Sequence, residues 1–417
     1  MVQGGILQIK KCRLCNGNDI KLALNLKSTP VADDYVRENK LSDVQPSYPL
    51  DLFLCENCGH VQLGYVVDPN TLFKDYIYTS SVSTSLLKHF EVASSEMIDL
   101  LKLGENDLVV DIGSNDGSFL RFFSDAGINV IGIDPAVEIA QKANDSGIET
   151  IAEFFMLSVA NSIIDRKGHA KLVTANNVFA HAENLGEIAD GIFDLLTPDG
   201  IFVFEVSYMV DIVENMLFDT IYHEHLCYHT VYPLDLFLLK HGLELIRVER
   251  IDSKGGSIHC QAQKKGGPRP RSTYIDQLIE KEKKEGYGQL IRYSKFANDI
   301  NFKKTAVLDW IKRAANSGQS FAGYGASATV TTLLHHFELE QYLEFLVDDN
   351  KLKQGTYSPG HHIPVCNSNE IYRKEVDVVI ILAWNYSTPI IQNHSEFLEK
   401  GGVFLIPLPN LKVIKQP

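Results

Sequence analysis

The sequence predicts an α/β fold in three parts: a small cysteine-knuckle module, a central doubly wound sheet and a second Rossmann-like α/β domain. Three observations carry this. Two Cys-x-x-Cys pairs bracket residues 1–67; strand-like and helix-like runs alternate through residues 68–272; and the alternation returns in residues 273–417 after a charged helical stretch. At 417 residues the chain is also too long for one ordinary core.

Composition narrows the function classes. Apolar residues make up 45% and charged residues 22%, an ordinary globular balance. A net charge of -14 argues against a nucleic-acid partner, whose phosphates demand a basic surface. It leaves room for a small phosphorylated ligand, which a few positioned donors can hold. No apolar run approaches the roughly 18 residues of a membrane span, and the first residues (MVQGGILQIKKC) lack a signal-peptide pattern. The expectation is a cytoplasmic protein. The oligomeric state is not legible.

The first element is a metal site. Of seven cysteines, four fall in the pairs Cys12-x-x-Cys15 and Cys55-x-x-Cys58. The two-residue gap lets both sulfurs and their backbone amides wrap one face of an ion, and two such knuckles complete a closed tetrahedral thiolate shell. A closed shell has no place for a reactive water, so the expected zinc is structural. A redox pair is disfavoured because neither Cys-x-x-Cys sits at a strand-to-helix junction. The long spacing suggests a rubredoxin-like knuckle pair with an inserted loop.

In the central part LVVDIG (residues 108–113), VIGID (130–134), KLVTANN (171–177) and GIFVFEV (200–206) read as buried strands. SFLRFFSDAG and EIAQKANDSG read as helices between them. The first strand leads into Asp111-Ile-Gly113-Ser-Asn115-Asp116-Gly117, whose glycines let the backbone approach a ligand ahead of a helix N-terminus. A dinucleotide fold wants G-x-G-x-x-G for a pyrophosphate. This loop is G-x-x-x-G, and Asp111 and Asp116 would repel a pyrophosphate but suit the cationic amino-acid end of S-adenosylmethionine. Asp134, followed by Pro135, ends the next strand, where a carboxylate can accept both ribose hydroxyls. Glu153 and Phe154 fall near the adenine, and Asn176 and Asn177 close the third strand beside them. Pro198-Asp199-Gly200 makes the turn before the fifth strand. Loop, spaced acid and turn in this order predict a class I S-adenosylmethionine-dependent methyltransferase core.

Next after the strand GIFVFEV, about a dozen residues on, comes Asp219-Thr-Ile-Tyr222-His223-Glu224-His225-Leu-Cys-Tyr228-His229, at the sheet edge where α/β folds hold substrates. HEH lacks the HExxH spacing, and His225 with His229 is an incomplete metal set. A solvated histidine loop is the plain alternative. General acid–base chemistry is favoured, because His, Glu and Tyr can share and shuttle protons.

With these segments in view the chain resembles a known family, the zinc-containing sugar C-methyltransferases of deoxysugar biosynthesis. The likeness spans the whole chain: both knuckles, YIYTSS (residues 76–81), VVDIGSNDGSFL, TANNVFAH (174–181), IYHEHLCY and the C-terminal GYGASA. It implies methyl transfer to carbon, commonly C-3, of a nucleoside diphosphate 4-keto-6-deoxyhexose. It further implies His225 as the base, with Glu224, Tyr222, His181 and Tyr76 completing the cluster. A base and an oxyanion donor are what such chemistry requires, since carbon beside a ketone becomes nucleophilic only on losing its proton.

The last part contains strand-like SFAGYG (residues 320–325), YLEFLVDD (342–349), VDVVIILAW (376–384) and GVFLIPL (402–408). Gly323-Tyr324-Gly325-Ala326-Ser327-Ala328 gives G-x-G-x-x-A after a strand, a weak match to a nicotinamide dinucleotide fingerprint. The resemblance implies instead that this domain grips the nucleotide diphosphate of the substrate, with Tyr324, Gly325, Ala326, Ser327, Lys353, Asn385 and Tyr386 as contacts. Alternatives left open are methylation at C-5 or on oxygen, an NAD-dependent sugar oxidoreductase, and a zinc scaffold without turnover. The charged run between the domains is expected to be a solvated helix face.

Overall fold

The computed structural model describes residues 6–68, 72, 79–82 and 84–416. The first 67 residues contain β1 (Ile6–Gln8), β2 (Ile20–Thr29), β3 (Tyr48–Cys55), β4 (Val61–Leu63) and β5 (Tyr65–Val67). β2, β3 and β4 form an antiparallel meander, and alternate residues of β3 (Tyr48, Leu50, Leu52, Leu54) are buried as its period-2 pattern requires.

The central sheet is built from β6 (Leu108–Ile112), β7 (Asn129–Ile133), β8 (Thr150–Ile151), β9 (Ala170–Asn176) and β10 (Leu196–Ser207). Downstream lie β11 (Cys227–Tyr228), β12 (Leu243–Ile251) and β13 (Ser257–Lys264). The sheet order is β12-β13-β10-β9-β6-β7-β8. β6 to β10 are mutually parallel where they pair, and β13 runs antiparallel to both β10 and β12. Every residue of β6 is buried, because helices cover both faces of a parallel sheet. The chain leaves β6 towards β7 on one side and β9 lies on the other, so a crevice opens at the carboxyl ends of β6 and β9. Four of these strands follow the expected apolar runs to within a few residues, while the pair β12 and β13 was not expected. β10 starts at Leu196, so Pro198-Asp199-Gly200, expected as a turn before the strand, lies inside it at a register shift before Ile201.

The C-terminal sheet has the order β16-β15-β14-β17-β18-β19. Its strands are β14 (Phe321–Tyr324), β15 (Phe345–Val347), β16 (Val365–Cys366), β17 (Val378–Ile381), β18 (Val403–Ile406) and β19 (Lys412–Ile414). All pairs are parallel except β18 with β19. Two helices, Thr273–Lys284 and Leu290–Asn316, lead into it. The expectation of a solvated face fails at one residue there. Glu282 is buried and accepts from Tyr208 Oη (2.7 Å) and from the amides of Val231 (2.7 Å) and Tyr232 (2.9 Å), capping the helix Val231–Lys240.

The three parts interlock. β11 belongs to the sheet of the cysteine module, in the order β11-β4-β3-β2, although it arises from the segment after β10. Val36 and Tyr357 exchange backbone hydrogen bonds of 3.0 and 2.8 Å. One apolar cluster runs from Leu24 and Leu52 through Phe204 and Phe218 to Phe337 and Leu405. No helix among the described residues is long and apolar enough to cross a membrane.

Candidate active site

The thiolates of Cys12, Cys15, Cys55 and Cys58 all lie within 4.8 Å of one another. The pairs Cys12–Cys58 and Cys15–Cys55 are 3.6 and 3.5 Å apart. A disulfide needs about 2.05 Å, whereas sulfurs at about 2.3 Å from a tetrahedral ion stand somewhat under 4 Å apart. The donor set therefore fits zinc. Both knuckles turn through left-handed backbone, at Asn16 (φ 61°) and Gly59 (φ 81°).

Beside them Arg13 is buried, and its guanidinium donates to the carbonyls of Leu63 (2.7 Å) and Leu226 (3.4 Å). The Leu63 amide also donates to Leu226 O at 2.9 Å. Leu226 is the neighbour of His225. The metal module thus fixes the backbone from which the histidine projects.

The crevice above β6 gathers the residues assigned to a cofactor. Gly113 has φ 72°, and a Cβ there would come within 2.3 Å of Val178. Only glycine meets both conditions. Asp134 accepts from the amides of Asn115 and Ala136, each at 2.9 Å, one per oxygen, which leaves acceptor capacity on both. Burial raises its pKa. Asp111 is buried against Thr174 Oγ1 at 2.6 Å, and burial pushes its pKa up to about 7.

Phe154 presents an aromatic ring 51% exposed at the rim, with Glu153 exposed beside it. Asn176 and Asn177 lie half-buried at the end of β9, and the Asn177 amide donates to Glu205 O (2.9 Å). Pro135 follows Asp134 into the next helix. Asp116 holds the loop itself, accepting from the Ser81 amide (3.0 Å) and Ser118 Oγ (2.5 Å). A carboxylate with spare lone pairs and a glycine-shaped loop fit S-adenosylmethionine.

His225, Tyr222 and His181 come together. The His225 and Tyr222 rings lie 4.1 Å apart between centroids, and those of His225 and His181 lie 4.9 Å apart. His225 Nδ1 is 2.8 Å from the carbonyl of Thr220. A carbonyl can only accept, so Nδ1 carries the proton and Nε2 keeps the lone pair. Burial first, and then the charge of Lys254, lower the pKa of His225 to about 4. Burial, with His225 and Lys254, lowers that of His181 well below the ordinary value. Glu224 is half-buried, and burial with the nearby Asp33 raises its pKa to about 7. Adjacent in sequence, His225 and Glu224 occupy distinct settings. Tyr76 lies outside the described residues.

The C-terminal residues divide. Gly325 has φ 119°, where a Cβ would meet Ala383 Cβ at 2.8 Å. The Ala326 amide, assigned to a diphosphate, already donates to Asp348 (2.6 Å). Ser327 precedes the helix Ala328–Phe337, with its Oγ 3.0 Å from Thr329 Oγ1. Tyr324 is buried and its hydroxyl engages Asp349 (2.8 Å) and His394 (3.1 Å). Lys353 pairs with Asp33 at 2.8 Å and lies 4.4 Å from the centre of the Tyr35 ring, bridging to the cysteine module. Asn385 and Tyr386 are exposed, and Asn385 faces the Gly255 turn of the central domain.

Three residues to which the sequence assigned no role stand around the His225 cluster. Asp219 is buried, with Oδ2 accepting from Trp384 Nε1 at 2.7 Å, which bolts the histidine segment to the C-terminal domain. Glu205, at the end of β10, faces His89 (3.0 Å) and His259 (3.4 Å). Burial would raise its pKa, but those hydrogen bonds prevail and hold it at about 2. Lys254 stands in the turn between β12 and β13, in left-handed backbone (φ 53°, ψ 27°). The Ser-Lys-Gly-Gly turn was a signal available in the sequence, but only the sheet order brings it to the site.

Three family models match: a zinc binding domain over residues 12–73, a methyltransferase domain over residues 88–248, and a C-methyltransferase C-terminal domain over residues 252–409. C-methyltransferase NovU of Streptomyces niveus is 34% identical over 414 residues, 99% of each chain. Among solved structures, an S-adenosylmethionine-dependent methyltransferase from Clostridium acetobutylicum is 12% identical, covering 47% of this chain and 96% of that one, with a TM-score of 0.36. Magnesium protoporphyrin IX methyltransferase from Synechocystis, with bound S-adenosylhomocysteine, is 15% identical, covering 45% of this chain and 89% of that one, with a TM-score of 0.33.

Proposed function

This chain belongs to the S-adenosylmethionine-dependent C-methyltransferases, and on that premise we propose that it methylates C-3 of a nucleoside diphosphate 4-keto-6-deoxyhexose. Zinc in the four-cysteine shell is structural, since a closed shell offers no position to substrate. The cofactor supplies a methyl group on a sulfonium, and the rest falls to the protein. Asp134 receives the ribose hydroxyls and Phe154 the adenine. His225 Nε2 takes the proton from the carbon beside the ketone. Tyr222 and His181 hold the imidazole in place, and Glu224 is the second proton-exchanging group. The C-terminal loop around Gly325 and Ser327 takes the nucleotide end.

The observation that carries this reading is the fixed tautomer of His225. Its Nδ1 is committed to Thr220 O, so a neutral, buried Nε2 is the group left to act as base. An O-methyltransferase does not need a base able to form an enolate, because its acceptor loses an O–H proton and no C–H bond breaks, so exchange at carbon separates the two. The test is deuterium exchange at C-3 of thymidine diphosphate 4-keto-6-deoxyglucose in D2O, with S-adenosylhomocysteine in place of the methyl donor. Exchange by the wild-type protein, and a loss of 10²-fold or more in His225→Gln, are expected. Methyl transfer without any exchange would turn the reading to oxygen as the acceptor.

A further inference from the structure

We propose that Lys254 is a further catalytic residue, whose ammonium donates to the substrate oxygen that becomes an enolate when His225 removes the neighbouring proton. The inference rests on the ketone substrate proposed above. Four observations lead to it.

The first is topology. β12 is antiparallel to β13, which is antiparallel to β10, so the turn between β12 and β13 emerges at the same edge as the carboxyl end of β10. Ser257, at the start of β13, pairs with Ser207, and the Gly256 carbonyl accepts from the Tyr208 amide (3.4 Å). Lys254 is therefore delivered to the active-site edge.

The second is strain. Lys254 has φ 53° and ψ 27°, a conformation glycine adopts freely and lysine rarely. Gly255 and Gly256 continue the turn with φ 88° and 147°. Of the three consecutive left-handed positions of this turn, Lys254 is the one that carries a side chain.

The third is proximity. A Cβ on Gly255 would meet Leu217 at 2.9 Å and the Asn385 amide at 3.6 Å. The Leu217 carbonyl accepts from the amide of Thr220 (3.0 Å) and its hydroxyl (2.7 Å), and Thr220 O holds His225. The turn thus packs on the segment that aims the base.

The fourth is its setting. Lys254 is exposed to solvent, yet desolvation is the main cause lowering its pKa, with Glu205 and Glu224 opposing. Its charge acts on His225, His181 and Glu224, which places the ammonium beside all three. No salt bridge engages it among the described residues, so the ammonium is open to a ligand.

The chemistry balances without a co-reactant. The C–H bond breaks and its proton passes to His225 Nε2. The electron pair moves into the carbon–carbon bond, and the carbonyl becomes C–O⁻ facing the lysine. The pair then returns, the carbon bonds to the donated methyl group, and the electrons of the broken sulfur–methyl bond remain on sulfur. Lys254 stays protonated throughout and acts by charge and hydrogen bonding.

The experiment compares wild type, Lys254→Met, Lys254→Gly and Lys254→Arg in the zinc-loaded full chain. Lys254→Gly relieves the backbone strain, so it guards against a variant that fails to fold. The readout is deuterium exchange at C-3 of thymidine diphosphate 4-keto-6-deoxyglucose with S-adenosylhomocysteine bound, beside calorimetric affinity for S-adenosylhomocysteine. Expected is a loss of exchange of about 10²–10³-fold in the Met and Gly variants, as for an oxyanion donor. Arg should recover part of it, with cofactor-product affinity unchanged in all. Wild-type exchange with equal exchange in Lys254→Gly overturns the role of the lysine alone. Absence of exchange in the wild type overturns the substrate reading, and this inference with it.

Discussion

Asp219→Asn should remove a calculable part of the pH dependence of stability. Asp219 is 2% exposed, Oδ2 accepts from Trp384 Nε1, and Oδ1 has no protein partner. Burial raises its pKa from 3.8 to about 7. Between those values the folded protein holds a proton that the unfolded chain has released, so stability falls as pH rises, and the full cost is reached above pH 7. Three units correspond to about 4 kcal/mol, of which about 3 kcal/mol accrues between pH 5 and pH 8.5. Asparagine does not titrate. It keeps an acceptor for Trp384, and any cost of its unpaired amide N–H, about 1–3 kcal/mol, is the same at both pH values.

The stability of Asp219→Asn minus that of wild type should therefore rise by about 3 kcal/mol from pH 5 to pH 8.5. Other titrating groups, including the zinc thiolates, cancel in this difference. For 417 residues unfolding as one unit, at about 2.1 cal/mol/K per residue, that is a relative gain of about 3 °C. Thermal melts of both proteins at the two pH values provide the measurement. A difference that stays constant, or narrows on the alkaline side, would refute the buried-carboxylate argument.

Three further outcomes are expected. kcat/KM should rise with pH through a titration near 7, because Glu224 becomes anionic there and then favours the imidazolium formed on His225, which is itself neutral well below that pH. Glu224→Gln should abolish that limb, and a profile unchanged in the variant would assign the titration elsewhere. Chelating zinc, or Cys58→Ala, should abolish methyl transfer because β4, Arg13 and Leu226 lose their anchor; activity retained in protein shown to be metal-free would disprove the link. Gly113→Ala should lower S-adenosylhomocysteine affinity at least tenfold, since the new methyl would stand 2.3 Å from Val178 at φ 72°, a cost above about 1.4 kcal/mol. Calorimetry giving wild-type affinity would mean that the loop does not shape the cofactor crevice.

The strands around the crevice were legible because a parallel strand buried on both faces must be apolar throughout, as LVVDI is. The metal site was legible because Cys-x-x-Cys geometry is local, and the same holds for the glycine loop. The short edge strands escaped notice because two or three residues carry no periodicity, as at Thr150–Ile151 and Val365–Cys366. Glu282 reads as surface in the sequence because its partners, Tyr208 and the amides of Val231 and Tyr232, lie 50 residues or more away.

By itself the sequence determined the local chemistry: four thiolates, a loop that admits a ligand, an acid at the end of the next strand, and a Tyr-His-Glu-His run after a buried strand. Tertiary structure decided how these are used. It put β11 into the sheet of the zinc module, turned Nδ1 of His225 onto Thr220, set Trp384 against Asp219, and brought Lys254 to the same edge. Proton affinity and side-chain aim depend on burial and on partners that meet only when distant strands pair, and no local pattern encodes those.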